Sequence, residues 1–144
     1  MAEIINGKEL AKNIRLELKN EVSKLKEKGI IPKLAVIMVG DDKASKVYVK
    51  NKSKACEEIG IEYEEFLLDE SISMEELLNL IEKLNNRKDI NGILLQSPIP
   101  KNLNIDEAFY KIEYKKDVDG FNPVNVGKIV IGQDSFISCA TYSV

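Results

Sequence analysis

The stretch Ser45 to Gly60 reads SKVYVKNKSKACEEIG, and its lysines at 46, 50, 52 and 54 are of two kinds. On a helix each residue advances about 100° around the axis. Measured from Tyr48, the residues Ser45, Lys52, Ala55, Cys56 and Ile59 fall within about 80° on one side. Lys46, Lys50, Lys54 and Glu57 gather on the other side, with Val47 among them. Lys52 is therefore a cation in a stripe of small and apolar groups. It either runs its stem along the stripe to reach water or stays partly withdrawn. Withdrawal from water favours the neutral amine, which is a base. Tyr48, one turn earlier, is either core or a ring for stacking a flat ligand, worth about 0.5–1.5 kcal/mol beyond burial.

Two further stretches carry candidate groups. In LLQSPIP, Gln96 ends an apolar run ahead of Pro98 and Pro100. Its amide either caps loose backbone groups or orients a lysine without adding charge. In KKDVDGFNPVN, Asp117 and Asp119 flank a valine, and Gly120 and Pro123 mark a specified loop. Two acids followed by glycine suggest a calcium loop, but the 12-residue ligand pattern does not continue, so no metal site is expected. Asp41 and Asp42 invite a phospho-acceptor reading, which needs a third acid where Gln96 and Ser97 stand. No G-x-G-x-x-G or G-x-x-x-x-G-K-[ST] occurs, so no dinucleotide or P-loop fingerprint is present.

The chain has no histidine, which removes His-based triads, HExxH zinc sites and imidazole bases. Acid–base chemistry near neutral pH must come from a perturbed Lys, Asp, Glu, Cys or Tyr. The net charge is −3 with both signs interspersed, so neither a nucleic acid nor a membrane surface is expected as partner. No apolar run approaches the roughly 20 residues of a membrane span. The first residues lack the apolar centre of a signal peptide, so a cytoplasmic setting with Cys56 and Cys139 reduced is expected.

The elements that must position these groups follow from periodicity. Leu10, Ile14, Leu18, Val22 and Leu25 give a helix over 7–28, stopped by Gly29. KLAVIMVG (33–40), IEYEEFLL (61–68) and INGILLQ (90–96) read as strands. The Lys52 helix ends at Gly60, and a second amphipathic helix runs from Ser73 to Leu84 behind a capping box. Alternating strands and helices predict an α/β fold, a mostly parallel sheet between two helical layers. Sites in such sheets lie at the carboxyl ends of the strands, where the GDDKAS and QSPIP loops both emerge.

Together, VGDDKASKVYVKNKSKACEEIGI, GILLQSPIP and KKDVDGFNPVNVGKI closely resemble the bifunctional methylenetetrahydrofolate dehydrogenase/methenyltetrahydrofolate cyclohydrolase family, from the first helix to about Ile129. The resemblance implies a three-layer αβα domain like the amino-terminal domain of amino-acid dehydrogenases. It implies Lys52 as catalytic acid/base, Gln96 as the amide that tunes it, and Asp119 as the carboxylate that meets the pterin. Tyr48 resembles the tyrosine that stacks on the aminobenzoyl ring, and Ser45, Pro98 and Asp117 are expected to line the same cleft.

Family members oxidise 5,10-methylenetetrahydrofolate to the methenyl cation with NADP and hydrolyse that cation to 10-formyltetrahydrofolate. They are usually homodimers. Ser97 stands where many members have Leu, and FISCATYSV replaces the family's Pro-Cys-Thr-Pro segment. The chain is thus expected to be one catalytic domain, 1–144, cut short at its carboxyl end, with the NADP-binding Rossmann domain absent. A folate-binding or interaction module without catalysis is the alternative.

Overall fold

The computed structural model describes residues 6–139. Three strands, β1 (Lys33–Val39), β2 (Glu62–Leu68) and β3 (Gly92–Leu95), form a parallel sheet in the order β2-β1-β3. Five helices accompany them: α1 (Gly7–Glu27), α2 (Lys43–Ile59), α3 (Met74–Asn86), α4 (Ile105–Lys111) and α5 (Pro123–Val130). The expected strands and first three helices are present at nearly the expected bounds. The short helices α4 and α5 were not expected from periodicity. Each is opened by an asparagine, Asn104 or Asn122, whose side chain accepts first-turn N–H groups.

Strand alternation divides the core in two. Ala35, Ile37 and Val39 of β1 pack with Ile93 and Leu95 against Leu77, Ile81 and Leu84 of α3 and Ala108 of α4. Val36 and Met38 face the other way, with Leu94, onto Val49 of α2. The sheet is therefore covered on both faces, as its near-continuous apolar strands require. Helix α1 packs on α2 through its second half, where Val22 is buried; Leu10, Ile14 and Leu18 earlier on the helix stay exposed. No helix among the described residues is long and apolar enough to cross a membrane. Of the departing segment FISCATYSV (136–144), the residues from Ala140 onward lie outside the described residues.

Residues 116–118 meet the free edge of β3 at one isolated bridge. Ile93 pairs in parallel with Asp117, and the Ile93 N–H donates to the Lys116 carbonyl at 2.7 Å. Lys116 anchors this segment: its ammonium donates to the carbonyls of Leu84, Asn85 and Arg87 at 3.2, 2.7 and 2.7 Å, collecting acceptors at the end of α3. Asp119 thereby leaves the sheet at the same carboxyl edge as Gln96. The close approach demands Gly92, because a Cβ there would meet Val118 Cγ1 at 2.6 Å and Leu34 Cδ1 at 3.2 Å. Gly92→Ala is expected to cost about 1–3 kcal/mol through overpacking. Urea denaturation checks this, and an unchanged midpoint would contradict it.

Candidate active site

Helix α2 starts directly after β1, where Asp42 caps it by accepting the Ser45 N–H at 2.7 Å. Asp41 beside it pairs with Lys46. These two acids are occupied locally, and no metal-binding group of acids and thiols occurs among the described residues. Helix α2 ends at Gly60, which takes the left-handed conformation (φ +86°) that a helix stop of this kind uses.

The face of α2 that packs inward is Ser45, Val49, Cys56 and Ile59, with Lys52 half-buried at its margin. This is a rotation of the expected stripe. Val49 at 2% exposure takes the core position, and Tyr48 is 62% exposed, so the ring is not core. Lys46, Lys50 and Lys54 are exposed, leaving Lys52 as the lysine of this group that turns inward. Side chains on a helix lean toward its amino terminus, which here carries the lysine toward the carboxyl edge of the sheet. Its Nζ donates to Gln96 Oε1 at 3.0 Å.

Gln96 follows β3 and is 9% exposed. Its Nε2 donates to the Ser97 carbonyl at 2.8 Å. That second bond fixes which end of the amide faces the lysine: the oxygen. The lysine therefore meets a neutral acceptor that holds its position while leaving its own charge uncompensated by the amide.

Asp119 is half-buried just after the 116–118 segment. Burial pushes its carboxyl above the ordinary carboxylate range; the Lys52 charge opposes this and the Asp117 charge adds to it. The Lys52 charge is thus near enough to act on Asp119, and Tyr48 stands one helical turn before the lysine with its ring exposed. The arrangement can hold a flat ligand, accept N–H donors at one end, and move a proton at the other.

Three other expected site residues take different places. Ser45 is 2% exposed, so it lies beneath the cleft, not in its wall; its hydroxyl has no hydrogen-bond partner among the described residues. Pro98 is exposed and bounds a cavity of about 220 Å³ with Val39, Asp42, Glu70 and Pro100, a cavity that Lys52 and Gln96 do not line. Asp117 corrects the expectation of substrate contact. It is 2% exposed, and both carboxylate oxygens are engaged by N–H donors of Gly120, Asn122 and Asn125. Cys56 is buried and free, and burial raises its thiol above the ordinary range, so it packs and offers no thiolate. Cys139 is exposed and free.

The raised Asp119 carboxyl has a consequence for stability. A carboxyl whose folded value exceeds its unfolded value binds more protons when folded, so it costs stability as pH rises through that window. Asp119→Asn is expected to melt a few degrees higher than the parent chain at pH 7. The gain should vanish as pH falls to the ordinary carboxylate range, about 4. Thermal denaturation from pH 4 to 8 reads this directly; a pH-independent difference would contradict it.

Residues 5–119 match the family model for the tetrahydrofolate dehydrogenase/cyclohydrolase catalytic domain. The bifunctional protein FolD of Acetivibrio thermocellus is 52% identical over 138 residues, covering 96% of this chain and 48% of that protein. The crystal structure of the FolD dehydrogenase/cyclohydrolase of Campylobacter jejuni superposes with a TM-score of 0.93 at 46% identity, over 94% of this chain and 49% of the other. The Trypanosoma brucei dehydrogenase-cyclohydrolase, solved with NADP cofactor and inhibitor, superposes at 0.89 with 34% identity, over 94% of this chain and 47% of the other. The chain spans about half the length of the curated relatives it matches. With the parallel sheet, the lysine–glutamine contact and the matched residues in hand, the chain belongs to the tetrahydrofolate dehydrogenase/cyclohydrolase family, to its catalytic domain.

Proposed function

We propose that this chain binds a reduced folate and hydrolyses 5,10-methenyltetrahydrofolate to 10-formyltetrahydrofolate, with Lys52 as the acid/base. The observation that carries this reading is the 3.0 Å contact from Lys52 Nζ to a Gln96 amide already locked by Ser97. Held by Gln96, the Lys52 nitrogen is the group proposed to take the proton from an incoming water. A neutral amide suits this role, because a carboxylate in its place would hold the lysine as an ammonium.

The proton path balances on this one group. Water gives a proton to the amine as its oxygen joins the methenyl carbon. Collapse of the hydroxyl adduct to the formyl group breaks the bond from that carbon to one of its two nitrogens. That nitrogen takes up a proton, and one proton passes to solvent. Asp119, when ionised, suits the adjacent ring N–H and amino donors of the pterin. Tyr48 offers its exposed ring to the aminobenzoyl group. A cytoplasmic setting, with both cysteines free, suits the same reading.

The oxidation of 5,10-methylenetetrahydrofolate in this family uses NADP, and the described residues do not fit that cofactor. A dinucleotide needs a glycine-rich turn and a helix amino terminus open to pyrophosphate. The sequence has no such turn. Asp42 caps α2 and acids occupy the first turn of α1, α3 and α4, so these four termini would repel a phosphate, while α5 opens on a proline that lacks an N–H and on Asn122, which takes the Val124 N–H. The chain is therefore read as the folate-binding and acid–base half of the family's activity.

Lys52→Met is expected to lower the hydrolysis rate by about 10²–10⁴-fold, the usual scale for a lost acid/base. Folate affinity should change far less. Following methenyltetrahydrofolate absorbance with the purified 144-residue chain measures this. Equal rates for parent and variant would favour a folate-binding module without chemistry. Tyr48→Ala is expected to weaken folate binding about 2–10-fold, in line with about 0.5–1.5 kcal/mol for an aromatic stack. Calorimetric titration checks it, and unchanged affinity would place the aminobenzoyl group elsewhere.

A further inference from the structure

We propose that Asp117 and Asn125 are positioning residues for this site: a buried carboxylate–amide pair that fixes the backbone on both sides of Asp119 and so sets where its carboxylate points. The inference rests on the folate reading above and extends it to residues that touch no ligand. Asp117 and Asn125 are 2% and 1% exposed; Asp117 lies in the 116–118 segment and Asn125 in the first turn of α5, on either side of the turn that carries Asp119.

The contacts run in both directions from Asp119. Asp117 Oδ1 accepts the Gly120 N–H at 3.1 Å, and Oδ2 accepts the Asn122 N–H and Asn125 Nδ2, both at 2.8 Å. Asn125 Nδ2 also donates to the Tyr114 carbonyl at 2.8 Å, and its Oδ1 accepts the Ser135 hydroxyl at 2.9 Å. Gly120, next to Asp119, takes φ +71°, and a Cβ there would meet the Phe136 carbonyl oxygen at 2.5 Å. The residues two before and one after Asp119 are thus held by one hydrogen-bonded unit.

A tight turn alone does not require this charge. An asparagine at 117 could close an Asx turn without burying an anion. No lysine or arginine forms an ion pair with Asp117 among the described residues. Three N–H donors stabilise its carboxylate instead. That uncompensated charge sits two residues from Asp119 and repels it. The charged groups acting on Asp119 are Lys52 from α2, which favours its ionised form, and Asp117 from its own loop, which disfavours it. Position and protonation of the proposed pterin-binding carboxylate therefore depend on the same buried pair.

The test uses the 144-residue chain labelled with ¹³C at aspartate carboxyls, and tetrahydrofolate as the titrant, from pH 4 to 9. In the parent chain the acid limb of the affinity profile should coincide with the Asp119 carboxyl midpoint. In Asp117→Asn both should move together to lower pH. Asn125→Ala keeps the Asp117 charge but removes one of its donors. It should lower the plateau affinity about tenfold, as for a hydrogen bond to a charged group, with the acid limb near its parental position. A purely structural role would change melting temperature in both variants and leave the Asp119 midpoint of Asp117→Asn where it was, which overturns the proposal. If Asp117→Asn does not fold, Asn125→Ala decides: unchanged affinity overturns the proposal. Absence of tetrahydrofolate binding by the parent chain would refute the folate reading, while the carboxyl midpoints would still test the coupling.

Discussion

A lysine ammonium or amine meeting a neutral amide, at an edge where parallel strands end, is the contact on which the rest of the structure depends. Lys52 reaches Gln96 because α2 leaves β1 immediately, packs Val49 on the sheet, and leans its long side chains back toward the strand ends. Gln96 can meet it as an acceptor only because its nitrogen is already spent on Ser97. A carboxylate in place of the Gln96 amide would make the lysine a partner in an ion pair. Neutrality of the amide is the chemical content of the site.

The second half of the site is built by a different device. Asp119 rides on a strand-like segment that is too short to hold itself. Lys116 ties it to the end of α3, Ile93 pairs with it at a single bridge, and Gly92 makes room for Val118. Beyond Asp119 the chain turns through Gly120 into α5 under the control of Asp117, Asn122 and Asn125. A rigid sheet thus presents Gln96 directly, whereas Asp119 is presented by a polar core. The two arms respond to different perturbations: packing changes in the first, charge and hydrogen bonding in the second.

The sequence pattern carried the sheet well because β1 and β3 are continuous apolar runs buried on both faces, a pattern that few other folds produce. Helix ends were legible where capping chemistry is explicit, as in the Ser73–Glu76 box and Gly60. Helices α4 and α5 were hidden because seven or eight residues give too little periodicity, and their signal is a lone asparagine cap. Lys52 stood out by chemical contrast with its neighbours. Tyr48 and Val49 were harder, since a rotation of one residue around α2 exchanges core for surface and both side chains are large and apolar. Asp117 was misplaced for a related reason. Adjacent acids look alike in sequence, and only the three N–H donors converging on Asp117 show that it is spent inside the fold. The two asparagines of GFNPVN were the available signal for that network.

The most direct measurement is a crystal structure of the chain with bound tetrahydrofolate. The account predicts Lys52 Nζ within hydrogen-bonding distance of Gln96 Oε1 and facing the nitrogens that carry the one-carbon unit, with the pterin donors on the Asp119 carboxylate. A lysine turned into solvent, or a folate seated away from this edge of the sheet, would contradict it.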